Sequence, residues 1–169
     1  MRSIFKASYP IRKLSKMFNL TEEAKLFLEK NKGKKIVFTN GCFDILHPGH
    51  VSYLNCAKAE GDLLIVGLNS DSSVKRLKGD DRPINDELSR KFMLENLKAV
   101  DFVEVFSEDT PYELIKATRP AVLVKGGDWA IEDIVGHDLV TVNGGTVKSL
   151  RFIEGHSTTS LIKEIQGKS

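Results

Sequence analysis

Apolar residues in this chain fall into short continuous runs separated by longer stretches in which they recur every three or four positions. Lys35-Ile36-Val37-Phe38-Thr39, Leu63-Leu64-Ile65-Val66, Phe102 to Phe106, Ala121-Val122-Leu123-Val124 and Val147 to Phe152 are too short for helices and read as strands. Their apolar residues are continuous rather than alternating, which predicts strands covered on both faces, as in a parallel sheet. Helical spacing lies between them: Ala24, Phe27 and Leu28 after Thr21-Glu22-Glu23, with Gly33 beyond the end, and Val51, Leu54 and Ala57 ahead of Gly61. Asp86 is placed to cap a helix reaching to about Ala99, with Leu88, Phe92, Met93 and Leu97 as its apolar side. Thr110-Pro111-Tyr112-Glu113 has the form of a capping box with proline at the first helical position, and Pro120 bounds that helix. A last helix carries Leu161, Ile162 and Ile165. Alternating strands and helices imply right-handed crossovers and a Rossmann-like α/β fold, a parallel sheet with helices on both faces.

The bulk numbers narrow the classes. A 169-residue chain with 41% hydrophobic and 28% charged residues fits one compact domain, here residues 21–169 behind a basic extension over residues 1–20. A net charge of +2 gives no argument for a nucleic-acid or membrane partner, and the longest apolar run, Leu63 to Leu68, is too short to span a bilayer. Cys42 and Cys56 form neither a C-x-x-C pair nor a zinc-spaced cluster, so a reduced, cytoplasmic protein without a structural metal is expected. Arg2, Lys6, Arg12, Lys13 and Lys16 occur before any acid; with no apolar core to make a signal peptide, the reading lies between a transit-like leader and a plain basic extension.

Candidate chemistry concentrates where the first strand turns into a helix, at Asn40-Gly41-Cys42-Phe43-Asp44-Ile45-Leu46-His47-Pro48-Gly49-His50. A helix start presents unpaired N–H groups and the positive end of the helix dipole, so this turn is a phosphate site. Gly41 and Gly49 admit a close backbone approach, and two imidazoles three residues apart add donors that change charge near neutral pH. After the second strand, Asn69-Ser70-Asp71 opens a turn into Val74-Lys75-Arg76-Leu77-Lys78-Gly79-Asp80-Asp81-Arg82-Pro83, which reads as a flexible basic loop. It could fold over a polyanion or remain a solvated charged loop. The fourth strand delivers Lys125-Gly126-Gly127-Asp128-Trp129 to the same sheet edge as the histidines, where ligands bind in open parallel sheets. Ser157, Thr158 and Thr159 open the last helix, either as caps or as donors to a phosphate.

These residues carry a resemblance. His47-Pro48-Gly49-His50 after Gly41-Cys42-Phe43-Asp44 resembles the H-x-G-H motif of the nucleotidyltransferase superfamily, and Glu154-Gly155-His156-Ser157-Thr158-Thr159 resembles its second motif, with His156 in place of isoleucine. The glycine-aspartate loop at Lys125 to Trp129 is similar to that of the glycerol-3-phosphate cytidylyltransferase branch. Asn69-Ser70-Asp71, Val74 to Gly79, Arg82-Pro83 and Leu123 to Asp128 resemble the adenylyltransferase branch that makes ADP-heptose. In cytidylyltransferases an arginine stands two positions before the Glu-Gly pair; here that position is Phe152 and the arginine is Arg151, on the opposite face of a strand. The resemblance covers residues 35–166 and suggests a short helix within residues 130–143, ending at Asn143-Gly144-Gly145, although Leu139 to Val142 is strand-like in composition.

The resemblance implies transfer of AMP from ATP to a sugar 1-phosphate, with pyrophosphate released. His47, His50 and Lys78 are the expected catalytic residues. Asn40, Gly41, Cys42, Phe43, Asp44, Arg90, Lys125, Gly126, Gly127, Asp128, Trp129, Ser157, Thr158 and Thr159 are the expected nucleotide contacts, and Asn69, Asp71 and Arg82 the expected substrate contacts. Asp44 would orient a loop amide or position hydrated Mg²⁺, and Mg²⁺ itself would be held mainly by the ATP phosphates. A homodimer and a separate sugar kinase are expected on the same ground. Two alternatives stay open: a CTP-dependent transferase acting on a polyol phosphate, and a nucleotide sensor without catalysis.

Overall fold

The computed structural model describes residues 18–151, 158–165 and 167. Five parallel strands, β1 (Ile36–Gly41), β2 (Leu63–Asn69), β3 (Phe102–Phe106), β4 (Val122–Gly126) and β5 (Thr146–Leu150), form one sheet in the order β3-β2-β1-β4-β5. Helices α1 (Glu22–Lys30), α2 (Pro48–Lys58), α3 (Asp71–Lys78), α4 (Glu87–Glu95), α5 (Tyr112–Thr118), α6 (His137–Val142) and α7 (Thr158–Ile165) fill the connections, with one 3₁₀ turn at Ile131–Asp133. The continuous apolar strands follow from this burial. Val37, Leu64, Val66, Val122 and Val124 face a core completed by Leu54 and Ala57 of α2 and Leu94 of α4, while Phe38, Ile65 and Leu123 face Leu114 and Ile115 of α5.

Chain order reverses direction between β1 and β4, and such a switch point leaves a crevice at the carboxyl ends of the strands. The β1–β4 pairing covers only Val37 with Val122 and Phe38 with Leu123. Beyond it the two strands part, and the Tyr53 hydroxyl fills the split, 2.6 Å from Thr39 Oγ1 and donating to the Val124 carbonyl at 3.3 Å. Burial pushes the Tyr53 phenol up to about 12, so it stays protonated in this bridging role.

Helix α1 is tied to the sheet. Glu104, in β3 and 1% exposed, accepts from both the backbone N–H and the hydroxyl of Thr21 at 2.8 Å, and Phe27 stacks on Phe102 at 4.8 Å. Thr21 in turn caps α1 by accepting from Ala24 N.

Three expectations are corrected. The basic segment after β2 is not a flexible loop throughout, because Ser70 accepts from Ser73 N and starts α3, Val74 is fully buried, and Lys75, Arg76 and Lys78 lie in the last turn where cations suit the dipole. Only Gly79 onward is loop. On α4, Leu88 and Phe92 are 75% and 68% exposed. The inward positions are Arg90 and Leu94, and a two-residue offset on a helix is about 200° of rotation, so seating Arg90 turns Leu88 and Phe92 outward. Thr110 makes no cap for α5; Pro111 occupies the N-cap instead, without a side-chain hydrogen bond. Residues 130–143 hold the 3₁₀ turn and α6, which ends at Asn143 as expected.

Candidate active site

After β1 the chain turns sharply, with Phe43 at φ 45°, a left-handed conformation uncommon for a residue with a side chain. The Phe43 ring folds back over Gly41, where a Cβ would lie 2.9 Å from it. A side chain at position 41 would therefore have to displace the Phe43 ring. The ring meets His50 edge-on at 5.3 Å, and His50 stacks on His47 with centroids 3.8 Å apart and 23° between planes. Pro48 at the first position of α2 brings this about: His47 becomes the N-cap in extended backbone, and His50 follows within the first turn.

Burial first, and then the charge of His47, lower the His50 pKa to about 4, with a hydrogen bond to the Ile45 backbone opposing them. His50 is therefore neutral in the free protein at neutral pH. Because the unfolded chain takes up this proton near 6.5 and the folded one only near 4, stability should fall as pH drops through that window. Urea midpoints measured between those limits test this, and the slope should flatten in His50→Gln.

His50, with His47 stacked behind it, borders a cavity of about 120 Å³ lined by Asn40, Gly41, Cys42, Phe43, His50, Tyr53, Lys125 and Gly126. Burial lowers the Lys125 pKa, with the Lys78 charge acting in the same direction and Cys42 opposing it. Burial raises the Cys42 pKa, against the charges of Lys78, Arg90 and Arg82. Lys78, on the exposed last turn of α3, thus acts electrostatically on both walls of the cavity.

Five of the expected contacts are committed to the scaffold. The Asp44 carboxylate, 1% exposed, accepts from Ile84 N at 2.8 Å, Asn85 N at 2.9 Å and Arg82 Nε at 2.6 Å. Burial disfavours its charge, but the Asn85 and Ile84 amides and Arg82 outweigh this and hold the carboxyl below the usual range. Arg90 has no exposed side-chain surface; it donates to the Cys42 carbonyl at 2.6 Å, the Asn85 carbonyl at 3.0 Å and Asp71 Oδ1 at 2.8 Å. Asn69 is buried and donates to Ser73 Oγ at 3.0 Å. Asp44 thus takes the loop-orienting role, and Arg90 reaches the site through the Cys42 carbonyl. Asn69, Asp71 and Arg82 brace α3 and the 82–85 turn against the histidine loop. Both ends of the segment bearing Lys78 are anchored there, at Asp71 and at Arg82.

A second cleft adjoins the first through Asn40 and Lys125, and adds Pro111, Trp129, Asp133, Ile134 and Val135. Trp129 is held there by Nε1 donating to the Gly126 carbonyl and by its backbone N–H donating to Ser149 Oγ, each at 3.1 Å. Gly127 adopts φ 119°, which only glycine takes readily, and its N–H donates to the Leu150 carbonyl. Asp128 is exposed beside it. The start of α7 also comes to the histidine loop, Thr158 Oγ1 donating to the Ile45 carbonyl at 3.4 Å. Thr159 lies in the same first turn; Ser157, with His156 and Phe152, falls outside the described residues. Sequence reasoning missed Tyr53, Ser149 and Pro111. Tyr53 falls beside the Val51, Leu54 and Ala57 stripe and Ser149 within a strand run, and nothing local marks either.

Among the described residues no three His, Cys, Asp or Glu side chains are grouped to hold a metal ion, and none of their helices is long and apolar enough to cross a membrane. The cytidylyltransferase-like family model matches residues 38–164. The chain is 60% identical over 138 residues to the bifunctional protein HldE of Wolinella succinogenes, across 82% of this chain and 28% of that protein. Its identity to HldE of Nitratiruptor is 53% over 165 residues, across 98% of this chain and 34% of the relative. The chain therefore spans about a third of the length of these relatives. Among solved structures, the lipopolysaccharide core biosynthesis protein of Thermoplasma volcanium superposes with a TM-score of 0.58 at 32% identity, over 73% of this chain and all of that one. Pantothenate synthetase of Thermus thermophilus, at 12% identity and a TM-score of 0.60, shares the fold. With the family model matched across most of the chain and the motif histidines paired at the sheet's switch point, the chain belongs to the cytidylyltransferase-like family, a family of nucleotidyltransferases.

Proposed function

We propose that this chain transfers AMP from ATP to D-glycero-β-D-manno-heptose 1-phosphate, giving ADP-heptose and pyrophosphate. The observation that carries the reading is the His47–His50 stack, which puts His50 in the wall of an anion-sized cavity opposite Lys125, with the Lys78 charge acting on the Cys42 and Lys125 walls. The heptose comes from the resemblance of residues 69–83 and 123–128 to the ADP-heptose branch, in keeping with the high identity to the bifunctional HldE proteins.

The acceptor phosphate is already an anion, so the chain needs no general base. One of its oxygens attacks the α-phosphorus in line, the bond to the bridging oxygen of the β-phosphate breaks, and pyrophosphate leaves with that electron pair. The work of the protein is to align the two phosphates and to stabilise the charge spread over them. His47 and His50 act at the α- and β-phosphates, Lys78 and Lys125 balance the triphosphate charge, and the start of α7 with Thr158 and Thr159 receives the β- and γ-phosphates. Because Asn69, Asp71 and Arg82 are engaged in the scaffold, we assign the sugar of the acceptor to the cleft beside Trp129, whose ring offers a flat apolar face and whose neighbour Asp133 accepts from hydroxyls. Asp44 is committed to amides and Arg82, so Mg²⁺ would arrive on the ATP phosphates rather than on a carboxylate cage. Action in the cytoplasm and as a homodimer belongs to the same reading.

Pyrophosphate release with ATP or CTP, across a panel of sugar 1-phosphates and glycerol 3-phosphate, tests the proposal. Release with ATP and heptose 1-phosphate is expected. Release with CTP alone, or with no nucleotide and acceptor pair, overturns it.

A further inference from the structure

Most seams of the sheet stay paired to the carboxyl ends of their strands. β1 and β2 are in register as far as Gly41 with Leu68, β2 and β3 as far as Asn69 with Phe106, and β4 and β5 as far as Gly126 with Leu150. The β1–β4 seam stops early, at Phe38 with Leu123. Carried onward in the same parallel register, its next two bonds would run from the Asn40 N–H to the Val124 carbonyl and from the Gly126 N–H to the Asn40 carbonyl. The pairing ends short of both, and Asn40, Gly41, Lys125 and Gly126 line the phosphate cavity instead. The open seam and the cavity are therefore one feature.

The Tyr53 hydroxyl stands in for both missing bonds. It donates to the Val124 carbonyl at 3.3 Å, and the Gly126 N–H directs a hydrogen bond to its oxygen. A phenol carries one proton, so Thr39, whose Oγ1 lies 2.6 Å away, donates in that contact and fixes the oxygen from the β1 side. Buried backbone groups need partners, and an apolar ring in this split would leave the Val124 carbonyl and the Gly126 N–H without this one. Tyr53 also follows His50 by three residues on α2, one turn along the same side. One hydroxyl thus ties the helix that bears His50 to the strand that bears Lys125.

We propose that Tyr53 is a positioning residue for nucleotidyl transfer, its hydroxyl holding the β1–β4 seam open and setting the span across the cavity between His50 and Lys125. The assignment rests on the catalytic reading above and adds to it a residue that acts through the backbone of β4. The chemistry is sensitive to that span, because a misplacement of about 1 Å can cost about 100-fold in rate. Without the hydroxyl the Val124 and Gly126 groups regain partners by pairing with Asn40, which draws the strands toward the ~4.8 Å spacing of ordinary neighbours and closes the cavity.

The test is Tyr53→Phe in the full chain, which keeps the ring and removes only the hydroxyl. A nucleotide-free crystal structure of this variant should show Asn40 paired with Lys125, and equilibrium titration should show ATP binding weakened about tenfold or more. Thr39→Val should move ATP affinity in the same direction, and Thr39→Ser, which keeps the donor, should hold the wild-type value. Thr118→Val serves as the stability control, since it removes a buried hydroxyl that donates to the Leu114 and Ile115 carbonyls at the close of α5. It should lower the unfolding midpoint and leave ATP affinity unchanged. An open seam in Tyr53→Phe, unaltered ATP affinity, or an equal loss in Thr118→Val would each overturn the assignment. Should Tyr53→Phe not fold, equal affinities of Thr39→Val and Thr39→Ser overturn it. A wild-type chain that binds no ATP removes the catalytic reading and the assignment with it, whereas wild-type turnover beside an unimpaired Tyr53→Phe removes the assignment alone.

Discussion

Replacing His50 with alanine is expected to lower turnover about 100- to 1000-fold while leaving ATP affinity nearly unchanged. The expectation rests on where the ring lies. His50 is pressed between His47 and Phe43, and its pKa of about 4 makes it a neutral donor before the nucleotide arrives. Ground-state ATP has other partners in the proposed site, namely Lys78, Lys125 and the amides at the helix starts, so removing one imidazole costs little binding. Charge on the phosphoryl oxygens and the leaving group grows only as the bond breaks, and a preplaced donor is worth most at that moment. Steady-state turnover combined with equilibrium ATP titration separates the two quantities. A large loss of affinity at unchanged turnover would count against the transition-state role.

Arg90→Met should destabilise the fold by about 2 to 4 kcal/mol, a large share of a small domain's stability, and lower activity as well. The guanidinium is wholly buried and ties three segments together, the histidine loop through the Cys42 carbonyl, the 82–85 turn through the Asn85 carbonyl and the start of α3 through Asp71. Methionine fills much of the volume but leaves two carbonyl acceptors without their donor. Asp71 keeps 35% of its side chain exposed, so water offsets part of the loss there, which keeps the expected cost below that of a fully buried broken pair. Arg90→Lys should recover little, because a single ammonium does not reach three acceptors set in different directions. A urea midpoint shift with unchanged slope measures the effect. A change under about half a kcal/mol would mean that the loop holds its shape without this residue.

The layout of this protein was legible wherever one periodicity held across a whole element. Four of the five strands lie within about two residues of their expected bounds, since continuous apolar runs have no other place to go than a doubly covered sheet. The exception is β2, which runs three residues past the expected Val66, to Asn69. The convergence of the histidine loop, the Lys125 strand end and the start of the last helix was legible too, because parallel topology sends every strand's carboxyl end to one side.

What escaped was decided by partners remote in sequence. The resemblance implies a nucleotide contact at Arg90, yet its partners stand 19 and 48 residues away in sequence and draw it fully inward. The same pull turned Leu88 and Phe92 outward, against the apolar pattern of α4. Helix α3 was missed for a different reason. Four cations with Gly, Asp and Pro suggest a loop, although Ser70 is a cap signal and Val74, the one buried apolar residue of the helix, is enough of an anchor.

The bond between Glu104 and Thr21 sets the sensible limits for working with this domain. The family model begins at Phe38, after α1, so a shortened protein starting at β1 would look sufficient on homology alone. Such a cut would strip the two donors from a carboxylate that is 1% exposed and take Phe27 off Phe102. An expression fragment is therefore best begun ahead of Thr21, so that the helix serves as the sheet's own lid and not as a dispensable leader.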